Sequence, residues 1–333
     1  MKIAVVTRLK DGNGHPANGT RVATALQRNG HEVKVVDHSV GSVESLPYVI
    51  NYTDADVVLV FGTLLSAEHV RPGQFAKLRA MNPEKKIVLW YFDICHHLMK
   101  NSPWKFKTLR SVLPFLDGLV TTDHSHPWEK HLPYLHLMQG IDEAEYEVPA
   151  REYAKEAEET PKQGVRTPQR PIPGDGCRRD VILTGGINPP FQERNYAVKL
   201  LRSVGMRVDV FGRDSGKRVD GRPFLVEHGR SRIALVPAPP SWTPGPYWSN
   251  RIYLAAATGT ACLVGQTPGI EEHYAPGEVV YFHDRPSLVQ AAKDMLKDKD
   301  LRDDVGRRGR ERTLRDHTYR ARAVELVKFI GGL

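Results

Sequence analysis

At 333 residues the chain is longer than one hydrophobic core ordinarily organises, so two domains are expected. With 40% hydrophobic and 26% charged residues it is not compositionally disordered, and no apolar run approaches the roughly 18 residues of a membrane-spanning helix. A formal net charge of +8 favours polyanionic partners, either nucleic acid or a diphosphate-bearing small molecule.

The chain opens with KIAVVT at 2–7, a short apolar run that reads as a strand rather than a leader peptide. A Gly/Asn-rich loop follows, then an amphipathic stretch at 20–29 closed by Gly30. Further strand-like runs stand at 31–37 (HEVKVVD), 56–61 (DVVLVF), 86–92 (KIVLWYF) and 118–121 (GLVT), separated by helical stretches. Continuous apolar strands of this kind fit a parallel sheet covered on both faces.

Between about 150 and 179 the chain is rich in Lys, Glu, Pro, Gly and Arg and poor in large apolar residues, the composition of a linker or mobile loop. Strands resume at 180–184 (DVILT), 207–211 (RVDVF), 233–236 (IALV), 261–264 (ACLV) and 279–282 (VVYF). The expected organisation is a Rossmann-like domain at 1–149, the linker at 150–179, a second Rossmann-like domain at 180–315, and a C-terminal helix at 316–333 that returns to the first domain. The tail at 301–329 has helical periodicity, with eight arginines from Arg302 to Arg322 among Asp303, Asp304, Glu311 and Asp316. That pattern fits a solvated face of charge pairs, with a phosphate-contacting helix as the alternative.

Cys95, Cys177 and Cys262 are scattered and lack the spacing of a zinc site or disulfide framework, so they read as reduced thiols in a cytoplasmic protein. Two doubly wound domains make a cleft facing the carboxyl ends of both sheets, and residues that follow strands are therefore the functional candidates. Asp93 follows KIVLWYF and is the first candidate for a general base, with His96 and His97 close enough in sequence to tune it; Asp123 is its counterpart one strand later. A capped strand end with exposed histidines is the competing reading. The same cluster, with His124 and His126, has metal-ligand residue types but no metal-site spacing, and a divalent ion on a diphosphate would leave no motif.

The Gly/Asn loop ends at a helix N-terminus, where Gly19 can lie beside a sugar or phosphate or serve an ordinary strand-to-helix turn. Arg194, after GGINPPFQ, and Arg213, after RVDVFG, are candidates to pair with a diphosphate leaving group, against surface roles for both.

The stretch WSNRIYLAAATG at 248–259, followed by TACLVGQTPGIEEHY, resembles the C-terminal domain of CgeB-like spore-maturation glycosyltransferases and, more distantly, the group 1 glycosyltransferases. The resemblance continues through VVYFHD and the closing RRGRERTLRDHTYRARAVEL, about 85 residues in all. It implies a GT-B fold, with a nucleotide sugar, a UDP-sugar first, held by the second domain. It also implies that Ser249, Asn250, Arg251 and Tyr253 line the nucleotide pocket, with Gly269 and Glu272 on the next loop. The glutamate that the family sets on the ribose corresponds to Leu254 here, and the further acid of the group 1 pattern to Pro246.

For the acceptor, the basic charge and the segment HHLMKNSPWKFKTLR favour a 5-hydroxymethylpyrimidine in DNA, with Trp104 or Phe106 available to stack on a base or to pack in the core. A protein or cell-envelope glycan acceptor, a non-catalytic protein of the same fold that binds nucleotide or nucleic acid, and a nucleotide-sugar epimerase are the other readings. The sequence does not fix the oligomeric state.

Overall fold

The computed structural model describes residues 1–10, 17–37, 46–51, 53–62, 72–92, 103–122, 130, 132–159, 177–188, 191–212, 215–237 and 247–333. These fall into two units, one made of residues up to Asp142 together with Tyr319–Leu333, the other running from Glu143 to Thr318.

The first unit carries β1 (Lys2–Thr7), α1 (Asn18–Arg28), β2 (Glu32–Asp37), α2 (Leu46–Asn51), β3 (Val57–Phe61), α3 (Pro72–Met81), β4 (Lys86–Tyr91), α4 (Pro103–Val112), β5 (Gly118–Thr121) and β6 (Tyr134–His136). Its sheet has the order β2-β1-β3-β4-β5-β6, and every pairing is parallel. The strands predicted from apolar runs are present. Strand β6 was not among them because YLH is only three residues long and half-buried at every position.

One face of this sheet packs on α2, α3 and α4 through Ile50, Phe75, Leu78, Leu109 and Val112, and the other on α1 through Val22, Ala23 and Leu26. Burial on both faces explains why β3 is apolar throughout and why every residue of β5, Thr121 included, is buried. Burying each large side chain of this core contributes about 1.5–3 kcal/mol against the entropy of ordering the chain.

The second unit carries α5 (Ala150–Glu159), β7 (Arg179–Thr184), α6 (Gln192–Ser203), β8 (Val208–Phe211), α7 (Arg222–Gly229), β9 (Ser231–Val236), α8 (Arg251–Ala257), β10 (Ala261–Gly265), β11 (Val280–Phe282), α9 (Arg285–Lys297) and α10 (Lys299–Asp316). Its sheet is also all-parallel, in the order β11-β10-β9-β7-β8. The chain steps outward from β7 to β8 and then crosses back to β9, so the sequence of strands reverses between β7 and β9.

The stretch expected to be a linker begins instead with a helix: α5 packs on α7, and the backbone N–H of Ala150 donates to the Thr258 carbonyl at 2.8 Å. The fit depends on Gly229, where a side chain would stand 2.1 Å from the Ala150 carbonyl oxygen. Residues 160–176, the rest of that stretch, lie outside the described residues. The single helical tail expected at 301–329 is interrupted at His317, which caps α10, and the last helix, α11 (Tyr319–Gly331), begins anew. Tyr319, Ala323, Leu326 and Ile330 of α11 fill the first unit's core beside α1.

Candidate functional site

In open parallel sheets ligands bind outside the carboxyl ends of the strands, where the strand order reverses. In the second unit that point lies between Thr184, at the end of β7, and Val236, at the end of β9. A crevice there is lined by both residues together with Arg194, His228, Ser249 and Arg251. Each side chain arrives by a separate route: Arg194 from the first turn of α6, His228 from the end of α7, and Ser249 with Arg251 from the entry to α8.

Gly185 shapes the crevice. Its φ of 131° lies outside the range that residues with side chains readily adopt, and a Cβ there would stand 2.6 Å from the Arg251 Nε. The Arg251 guanidinium therefore lies over bare backbone just past β7. Its Nη1 donates to Ser249 Oγ at 3.0 Å. The Arg194 Nη1 donates to the Gly186 carbonyl at 3.1 Å, and its guanidinium carbon lies 4.0 Å from the centre of the Phe191 ring.

Arg194 is 7% exposed and Arg251 is half-buried, and among the described residues neither guanidinium has a carboxylate within salt-bridge distance. Burial, and then the nearby Arg251, pull the Arg194 guanidinium down to about 10, still charged at neutral pH; Tyr247 and Glu193 offset part of this. Burial also lowers Arg251. Both arginines sit in the first turn of a helix, where the macrodipole disfavours a positive charge. Buried, mutually repelling and set against the dipole, the pair is costly without an anion and suited to one.

His228 closes the inner wall. It is 1% exposed, its ring centre lies 4.2 Å from that of Phe224 with the planes tilted by 37°, and neither ring nitrogen has a hydrogen-bond partner among the described residues. Burial, with Arg179 adding to it, pushes its pKa down to about 3, so the ring is neutral and does not add to the site's charge.

Of the expected donor-site residues, the structure brings Arg194, Ser249 and Arg251 together. Asn250 adjoins them at the helix entry. Gly269, with φ 85°, begins the turn after β10 at the same sheet edge, and the exposed Glu272 stands in that turn, its carbonyl accepting from Arg312 Nη2 at 3.0 Å. Tyr253 is not in the crevice: it is fully buried, and its hydroxyl accepts from Trp248 Nε1 at 2.8 Å and meets His273 Nδ1 at 3.1 Å, so it packs the base of α8. Gly19 is likewise a packing position, buried where a side chain would stand 2.2 Å from Thr7 Oγ1. Leu254 is half-buried on α8 and offers no carboxylate. Asp93, His96, His97, Asp123, His124, His126, Arg213 and Pro246 lie outside the described residues.

Sequence reasoning missed His228 and Gly185. The first has no motif around it, and the second is one of two adjacent glycines whose difference lies in backbone angle. Among the described residues no group of three or more His, Cys, Asp or Glu side chains is placed to hold a metal ion.

Residues 194–328 match a protein-family model described as "Glycosyl transferase-like". No curated protein matches the sequence. Among solved structures, sucrose-phosphate synthase from Thermosynechococcus elongatus is similar over 100% of this chain and 98% of its own, at 11% identity and a TM-score of 0.66. An alpha-glucosyltransferase in complex with UDP and a 13-mer DNA containing a central A:G mismatch is similar over 99% of both chains, at 13% identity and a TM-score of 0.61. T4 phage BGT in complex with UDP and Mn2+ is similar over 100% of both chains, at 12% identity and a TM-score of 0.53. The fold of the whole chain is thus the GT-B fold of glycosyltransferases. Its C-terminal part is the portion that matches the glycosyl transferase-like family model.

Proposed function

We propose that the protein is a glycosyltransferase that takes its sugar from a nucleoside diphosphate sugar, a UDP-sugar first, with Arg194 and Arg251 holding the diphosphate. The observation that carries this reading is the pair of guanidiniums, Arg194 buried and Arg251 half-buried, without a carboxylate partner among the described residues, at the switch point of a parallel sheet. A diphosphate supplies the missing charge, and both arginines can meet it with paired N–H groups. Ser249 orients Arg251, and Asn250, Gly269 and Glu272 complete the donor side. Within the class, the WSNRIYLAAATG segment supports a CgeB-like member acting in the cytoplasm, and no described helix is long and apolar enough to cross a membrane.

In the reaction the acceptor oxygen bonds to the anomeric carbon, the bond from that carbon to the diphosphate oxygen breaks, and the acceptor's proton passes to a carboxylate. The departing diphosphate gains negative charge as the bond breaks, which is where two fixed cations lower the barrier. Asp93, with His96 beside it, is the proposed proton acceptor, and Asp123 its alternate; each follows closely on the carboxyl end of a strand, β4 and β5 respectively.

The proposed acceptor is a 5-hydroxymethylpyrimidine in DNA. The chain's net charge of +8 and the likeness to two UDP-bound glucosyltransferase-fold structures, one of them carrying DNA, support it. The test is release of nucleoside diphosphate from a panel of UDP-, GDP- and ADP-sugars, with hydroxymethylated DNA, unmodified DNA or no acceptor. Release that requires hydroxymethylated DNA, with the matching mass gain on the base, is expected. Absence of release from every donor, with nucleotide still bound, would overturn the enzyme reading in favour of a binding protein in which Leu254 marks lost catalysis.

A further inference from the structure

The first unit presents a face on which positive charge accumulates with little neutralisation among the described residues. Helices α2, α3 and α4 lie side by side on one face of its sheet. Together they hold five basic residues, Lys77, Arg79, Lys105, Lys107 and Arg110, and no acidic one. Arg79 is engaged by Asp117 and by the Phe115 and Lys85 carbonyls. Lys105, Lys107 and Arg110 make no ion pair among the described residues, and Lys77 lies 4.2 Å over the Tyr48 ring.

The same face carries exposed aromatic surface. Trp104 is 48% and Tyr48 45% exposed, and Lys105 lies 5.5 Å over the Trp104 ring. Positions 103, 106, 107 and 110 form one stripe of α4 and line an open groove with a cavity volume of ≈ 400 Å³. In a parallel sheet the connecting helices run against the strands, so the first turns of α4, with Trp104 and Lys105, stand at the edge where β4 and β5 end.

A cationic groove beside an exposed indole is the combination that tracks a phosphodiester backbone and stacks a base. DNA offers a phosphate and a planar ring at every repeat, whereas an acidic peptide need carry no ring. We propose that the α3–α4 face binds a DNA strand, its phosphates over Lys107 and Arg110 and a base against Trp104. The inference deepens the acceptor half of the proposed function and rests on it.

The test measures binding of a short labelled DNA, duplex and single-stranded, at several salt concentrations. The wild-type chain is compared with a triple variant, Lys105→Ala, Lys107→Ala and Arg110→Ala. A second triple variant, Arg307→Ala, Arg308→Ala and Arg315→Ala on α10, removes the same charge elsewhere, and UDP binding is followed in all three. The α4 variant is expected to lose roughly a hundredfold in DNA affinity at 0.1 M salt. On duplex DNA its plot of log affinity against log salt should flatten by about 1.8, two phosphate contacts at about 0.9 each, with UDP binding unchanged. The α10 variant should stay within about threefold of wild type, and Trp104→Ala should weaken single-strand binding roughly tenfold.

Wild-type affinity in the α4 variant, or equal losses in both triple variants, would overturn the surface. A wild-type chain that binds UDP but no DNA would also overturn it while leaving the donor site standing. DNA binding through α4 without diphosphate release from any donor would uphold the surface and sink the transferase reading.

Discussion

Helix α10 and the β7/β9 crevice are both rich in arginine, yet they treat the charge in opposite ways. On α10, Arg307 pairs with Asp304 and Glu311, Arg308 with Asp304, and Arg312 and Arg315 with Asp316, while Arg302 and Arg310 donate to backbone carbonyls. In the crevice, the buried Arg194 and the half-buried Arg251 have a hydroxyl, a carbonyl and aromatic carbon as their described partners. Arginine count therefore says little about where an anion binds; what matters is whether the chain supplies the counterion. The α10 pairs are exposed and worth little each, whereas the crevice holds an electrostatic cost that a ligand can relieve.

The sharpest way to break this contrast is to remove the crevice cations. Arg251→Ala, and separately Arg194→Ala, should each weaken UDP binding by about 2–4 kcal/mol, roughly 30- to 1000-fold, as read by calorimetry. The same variants should hold or gain thermal stability without ligand, because a largely desolvated charge with no carboxylate partner among the described residues is gone. If UDP affinity is unmoved, the anion site lies elsewhere. Gly185→Ala tests the geometry without touching charge: a methyl group 2.6 Å from the Arg251 Nε must displace the guanidinium, and roughly tenfold weaker UDP binding is expected.

His228 sharpens the comparison through pH. Its pKa falls from the ordinary 6.5 to about 3 on folding, so between those values the unfolded chain binds more protons, and stability is full above pH 6.5 and falls as the solution is acidified. Denaturant unfolding of His228→Phe between pH 4 and 6.5 should lose a slope of up to about 1.4 kcal/mol per pH unit relative to wild type. An unchanged slope would show that the ring is protonated or solvated in the folded state. The smallest effect is expected on α10, where Arg308→Ala should shift stability by about 0–1 kcal/mol and leave UDP affinity alone.

The fold was legible where side chains are large. Runs such as DVVLVF and KIVLWYF announce buried strands because two covered faces demand apolar residues at every position. Helix α5 was not legible, because the stripe it turns inward, Ala150, Tyr153, Ala154 and Ala157, is mostly alanine and stands in a segment rich in Lys and Glu. The site was legible in part for the same reason. Arg194 and the Ser249 to Arg251 segment follow strands, and their position in sequence marked them. Tyr253 misled because its place beside that segment says nothing of which side of α8 it occupies; the structure turns it inward to Trp248 and His273. His228 reaches the crevice from the end of α7, a contact that only the strand order creates.

The return of α11 bears on how the chain is made. The first unit's core is closed by Tyr319, Ala323, Leu326 and Ile330, and the ring of Phe329 reaches the Gly118 position on β5. At about 5–20 residues per second, the roughly 175 residues between Asp142 and Tyr319 take on the order of 10–35 seconds to synthesise. For that interval the earliest-made sheet waits on the ribosome with one apolar face covered only in part, by α1, so the second unit can mature first. Chaperone dependence in vivo should therefore track the arrival of the last helix rather than the first.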